Sequence, residues 1–158
     1  MTLRAMIPAD IPAAAQLWHE GWHDGHADVV PAELTALRTE TNFAERLADH
    51  LPHTLIAVQG TELLGFVITR EDEIYQMYAS RRARGTGIAA QLMQAGEAKI
   101  RDAGHAKAWL DCAIGNARAA RFYEKCGWTN TGETESILDT SEGPFSLVLW
   151  RFEKPLTD

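Results

Sequence analysis

The segment RARGTGIAAQLM, Arg82 to Met93, sets two glycines one residue apart, behind arginines and ahead of a helix-like apolar pattern. At a helix start the first backbone N–H groups have no partner inside the helix, and they point outward at the positive end of its dipole. Glycines lack a Cβ, so a phosphate can approach that backbone closely. Arg82 and Arg84 would add guanidinium donors for phosphate oxygens. Other phosphate turns do not fit. No Lys-Ser/Thr pair follows the glycines, and Ala90 stands where a dinucleotide turn has its third glycine. A flexible turn that only begins a helix would carry the same Gly-x-Gly, so this segment alone leaves both readings open.

A second group follows in NARAARFYEKCGW, from Asn116 to Trp128. Asn116 is a good N-cap, and Ala119, Phe122 and Tyr123 share one side of the helix it would open. His19, His23 and His26 repeat at four and three residues, a spacing that puts two ring nitrogens on one helical face. No cysteine or paired acid completes a metal set there, so these read as solvated or hydrogen-bonded histidines, with no metal. Cys112 and Cys126 form neither a disulfide framework nor a CxxC signature, and read as reduced thiols.

The elements that must position these residues alternate between two periods. Residues 2–6 read as a first strand and 11–22 as a helix, with Ile11, Ala14, Ala15, Trp18 and Trp22 on one stripe. Residues 28–53 read as polar and helical, with Pro31 at a helix start. Strands are expected at 55–58 and 63–69 around a Gly60-Thr61 turn, then at 74–79. Ile88, Leu92, Ala95, Gly96, Ile100 and Ala103 make the next helical face, stopped by Gly104. A strand at 106–112, a helix at 116–126 and a strand at 145–152 follow, so the class is mixed α and β around one sheet.

Composition bounds the function. The chain has 158 residues, 46% hydrophobic and 23% charged, which fits one domain over 1–158. A formal charge of −7 argues against a nucleic-acid partner, because that partner needs a basic face. No apolar window reaches membrane-span length, and the N-terminus lacks the apolar core of a signal peptide, so the expectation is a cytoplasmic protein with no membrane partner. The acidic balance favours a cationic small-molecule ligand.

Taken together, the two motifs resemble the GNAT superfamily of acyl-CoA-dependent N-acyltransferases. Its pattern of Gln or Arg, two residues, Gly, one residue, then Gly or Ala is matched by Arg82, Gly85 and Gly87. Its Asn, followed by Tyr seven residues on and then Gly plus an aromatic, is matched by Asn116, Tyr123, Gly127 and Trp128. The match runs without a gap from Ile74 to Trp128. Arg81, Ala83 and Ala79 depart from the common proline, bulky residue and valine, and Arg81 with Arg82 and Arg84 makes the loop unusually basic.

The resemblance implies a fold, a co-substrate and a site. The fold is a single mixed, largely antiparallel sheet of six to seven strands, with a central parallel pair splayed apart and about four flanking helices. The co-substrate is acetyl-CoA, with its pyrophosphate on the backbone from Arg84 to Ala89, through Gly85, Thr86, Gly87 and Ile88. Its pantetheine arm would insert at the splay against Met77, Tyr78 and Ala79, with Asn116, Ala119 and Phe122 opposite. A backbone N–H would polarise the thioester carbonyl. Tyr123 would give a proton to the departing thiolate, and Asp111 or Glu73 would take one from the incoming amine. Cys112 is the alternative nucleophile, although a mid-strand cysteine is more often core. The acceptor, a small-molecule or peptide amine, would meet Trp22, His23, His26 and Tyr75. A non-catalytic acyl-CoA-binding module and transfer of a bulkier acyl group remain as alternatives, and a homodimer stays open.

Overall fold

In the computed structural model, which describes residues 1–156, seven strands form one sheet in the order β1-β2-β3-β4-β5-β7-β6. The strands are β1 (Thr2–Ala5), β2 (Thr54–Gln59), β3 (Glu62–Arg70), β4 (Glu73–Ala79), β5 (Lys107–Cys112), β6 (Thr129–Thr140) and β7 (Gly143–Pro155). Five α-helices accompany them among the described residues: α1 (Ile11–His26), α2 (Ala32–Leu37), α3 (Glu40–Asp49), α4 (Ile88–Asp102) and α5 (Ala117–Lys125). No helix among these residues is long and apolar enough to cross a membrane.

The central strands are apolar at successive positions because both faces of the sheet are covered. Side chains alternate sides along a strand. Ile56, Phe66 and Ile68 therefore pack with Trp18, Leu34 and Phe43 under α1–α3. Ala57, Val67 and Ile74 pack with Leu92, Met93 and Ile100 of α4 on the other side.

All neighbouring strands run antiparallel except β4 and β5, which are parallel and share only the pair Glu73↔Trp109. Trp109 holds that end: its backbone N donates to the Asp72 carbonyl at 3.1 Å, and its Nε1 donates to the Asp72 carboxylate at 2.9 Å. Just beyond, the β3–β4 register slips so that Ile68 faces Gln76 while Thr69 faces Ile74, leaving Tyr75 as an extra residue on β4. Such a bulge bends and twists its strand. From there β4 and β5 part, leaving one edge of β4 free of sheet pairing.

Two expectations needed correction, and one strand was not expected at all. Residues 28–53 are two helices and not one helical stretch. Arg38 leaves helical geometry (φ −91, ψ 70), and Thr39 caps a new start by accepting from the Asn42 amide at 3.0 Å. Helix α1 runs to His26, past the expected end at Trp22. Strand β6 has no counterpart in the residue pattern. As an edge strand with mostly exposed side chains, its sequence TNTGETESILDT needs little apolar alternation.

Candidate active site

One cleft opens where β4 leaves β5. Met77, Tyr78 and Ala79 of β4 line it together with Asn116, Ala119, Phe122 and Tyr123 from the α5 side. Its opposite wall is α1, where Gly21 is required: a Cβ there would lie 2.7 Å from the Tyr78 ring. The cavity has a volume of about 280 Å³ and continues along Asp24, Arg81, Arg84 and Arg118 into a neighbouring recess.

The glycine turn lies at the end of this cleft. Gly85 and Gly87 both adopt positive φ, 75° and 84°, which a side chain disfavours. The amides of Arg84 and Thr86 fold back onto Arg81 and Ala83, and the Ile88 amide donates to the Thr86 hydroxyl at 3.3 Å. Those of Gly85, Gly87 and Ala89 carry no protein partner among the described residues. Ala89 lines the cleft, whereas the Ile88 side chain is buried in the core. Arg81, paired with Asp24, and Arg84 line the cleft. Arg82 does not; it pairs instead with Glu62.

Tyr123 is carried by a helix fixed at both ends. Asn116 accepts from the Ala119 amide at 3.4 Å, and past Gly127 the Trp128 Nε1 donates to buried Glu97 at 3.1 Å. The Tyr123 ring meets Phe152 and Phe122 edge-on, with centroids 5.4 and 5.8 Å apart. Its hydroxyl has no protein hydrogen-bond partner among the described residues. Burial pushes the phenol above its ordinary value, so it stays protonated at neutral pH.

A second cavity, of about 230 Å³, opens between the N-terminal helices and the β4, β5, β6 and β7 strands. Along β5, Leu110 and Cys112 turn into the core while Asp111 turns into this cavity. Asp111 accepts from the Ser136 hydroxyl at 2.7 Å, and its other oxygen is buried without a partner. Burial raises its pKa, against the pull of that hydrogen bond and of Arg151 and Arg70. Glu73 also lines the cavity and pairs with Arg70 at 2.9 Å. Burial lifts its carboxyl to about 6, although Arg70 works in the opposite direction.

Of the expected acceptor residues, Trp22, His26 and Tyr75 line this second cavity. His26 stacks on Trp22 at 4.7 Å, and burial lowers its pKa to about 4, so it is neutral. His23 does not line the cavity; its Nε2 bonds the Arg38 carbonyl at 2.8 Å. His19 lies against His23, 4.3 Å between ring centres, and no group of three or more His, Cys, Asp or Glu among the described residues could hold a metal.

The family model described as Acetyltransferase (GNAT) family matches residues 14–128, a span that includes the glycine turn, both strands of the splay and α5. The chain belongs to the GNAT acetyltransferase family. Membership carries the enzyme class, an N-acetyltransferase that draws its acetyl group from acetyl-CoA and acts on an amine. An uncharacterised N-acetyltransferase of Mycobacterium tuberculosis is 33% identical over 111 residues, covering 67% of this chain and 69% of that protein. Among solved structures, a GCN5-related N-acetyltransferase from Rhodopseudomonas palustris superposes with a TM-score of 0.75 at 23% identity, over 98% of this chain and 94% of that one. PaiA N-acetyltransferase from Thermoplasma acidophilum, solved in complex with coenzyme A, gives 0.71 at 18% identity, over 98% of each chain. At these identities the two structures support the shared fold.

Several residues that line the two cavities were not singled out from the sequence. Arg38, Arg46 and Arg70 line the second cavity, as do Trp109 and Ser136. Arg38 sits in the break between α2 and α3, a boundary that residues 28–53 do not announce. Ser136 sits on β6, the strand without an apolar signal. Of two further arginines on the cleft wall, Arg81 was legible only as part of a basic loop, and Arg118 was not singled out at all.

Proposed function

We propose that this GNAT protein transfers acetyl from acetyl-CoA to a primary amine by direct attack in a ternary complex, with the thioester at the β4–β5 splay. The observation that carries the reading is the division of labour along β4. Tyr75 and Gln76 line the cavity that holds both carboxylates, whereas Met77 and Tyr78 line the cleft that holds Tyr123. A thioester threaded between the strands would meet a proton donor on one side and proton acceptors on the other.

The pyrophosphate would rest on the unpaired amides of Gly85, Gly87 and Ala89, with Arg84 beside them. The pantetheine arm would pair with the free edge of β4 as an added strand does. The amine nitrogen attacks the thioester carbon, and a β4 amide facing the gap stabilises the oxyanion. The C–S bond then breaks, the thiolate takes the Tyr123 proton, and the new ammonium gives a proton to Asp111 or Glu73. Cys112 is a poor rival nucleophile: it is 5% exposed, and burial pushes its thiol up to about 12.

The test is an acceptor screen with purified protein and acetyl-CoA, following release of free thiol. Amine-dependent release that collapses in Tyr123→Phe supports the reading. Release that ignores the amine, or that survives in the variant unchanged, refutes it.

A further inference from the structure

The second cavity sets three guanidinium groups beside three acids, Glu73, Asp111 and Asp139, so it offers sites for both signs of charge. Of the three guanidinium groups, only Arg70 has a carboxylate partner. Arg38 is 3% exposed, and no carboxylate lies within ion-pair reach of it or of Arg46 among the described residues. Its Nη1 donates to the Asn42 side chain at 3.2 Å and to the Asp139 carbonyl at 2.9 Å, and its Nε is buried with no partner. Arg46 donates to the Tyr75 hydroxyl at 2.8 Å and lies 4.5 Å over the Trp18 ring, and its Nε is likewise buried and unpaired.

An unpaired buried charge is costly, and a chain has little reason to hold buried Arg38 and half-buried Arg46 beside one cavity, neither with a carboxylate partner, unless something anionic enters. Planar guanidinium forks match a carboxylate bidentately. The same cavity holds Glu73 and Asp111, which suit an ammonium, and its remaining wall includes Val30, Leu34 and Leu147. At about 230 Å³ it lies below the roughly 300–1,000 Å³ of drug-sized sites, so the occupant is small.

We infer that the acceptor is a small zwitterion of the amino-acid class. Its carboxylate is held by Arg38 and Arg46, its apolar body lies along the aliphatic wall, and its amine faces Glu73 and Asp111. This rests on the acetyltransferase reading above. It adds an anionic end to the cationic ligand expected from net charge, because local arginines act at contact distance whatever the sign of the whole surface.

Products are the cleanest probes. With coenzyme A present, N-acetyl-L-leucine and N-acetyl-L-phenylalanine are compared by calorimetry with their C-terminal amides, which keep the shape and lose the charge. The carboxylates should bind at least tenfold tighter. Arg46→Gln should erase that preference and Arg46→Lys should restore part of it. Arg38→Gln should do the same as Arg46→Gln, with coenzyme A affinity as its control for folding. Equal binding of acid and amide, or no binding of either, overturns the inference. Thiol release with isopentylamine at least as fast as with leucine would also overturn it and leave the acetyltransferase reading standing. Failure to bind coenzyme A would remove that underlying reading.

Discussion

Tyr123→Phe removes one hydroxyl and little else. The hydroxyl makes no protein hydrogen bond among the described residues, so the folded state loses no partner. The ring keeps its edge contacts with Phe152 and Phe122 at 5.4 and 5.8 Å. Stability should therefore change by no more than about 0.5 kcal/mol. Acetyl-CoA affinity should hold, because the cleft keeps its shape. Turnover should fall roughly a hundredfold, the low end for losing a general acid, which corresponds to about 2.7 kcal/mol of barrier. Burial raises the phenol pKa, so the wild-type acid should persist to alkaline pH, with no falling limb near neutrality. The assay pairs thiol release, with the better amine from the screen, with calorimetric titration of acetyl-CoA. A folded variant that binds normally and turns over within about twofold of wild type would refute the argument, since losing a general acid typically costs 10²–10⁴. The thiolate would then leave unaided, and Tyr123 would be a packing residue.

Other outcomes follow from the same geometry. Gly87 has φ 84°, so Gly87→Glu adds backbone strain and a negative charge at the phosphate turn. Acetyl-CoA should bind at least tenfold more weakly by calorimetry, about 1.4 kcal/mol. Asp111→Asn should slow turnover near pH 7 and recover above about pH 9, as the amine deprotonates itself; a wild-type rate across pH would pass the role to Glu73 or to water. Glu73 has a folded pKa of about 6, above the ordinary 4.5, so the folded state binds the extra proton between those values. Its contribution to stability is present below pH 4.5 and is lost as pH rises through 6, by roughly 2 kcal/mol. Denaturant titration of wild type against Glu73→Gln should show that pH-dependent difference, and parallel pH profiles would contradict it.

How far the sequence speaks depends on where each residue's constraint comes from. The glycine turn, Asn116 and Tyr123 were legible because each answers a local demand: positive φ, a helix cap, a fixed register from that cap. The two-sided core was legible in the apolar runs of β3 and α4. Arg38, Arg46 and Ser136 were not, because their roles are set by chain partners far off in sequence. Arg38 reaches the Asp139 carbonyl, and Ser136 reaches Asp111. Strand β6 was missed for a related reason, since its one ladder partner, β7, supplies the pairing while solvent covers its side chains. Net charge is silent on the three arginines of the second cavity because it averages over the whole chain.

Direct transfer across the splay means that no acyl group passes through the protein. Intact-mass measurement of the protein mixed with acetyl-CoA, before and after an amine acceptor is added, tests it most directly. The protein mass should be unmodified at both points, with acetylated amine only in the second. An acetyl adduct that forms on Cys112 without acceptor, and that disappears when the amine is added, would contradict it.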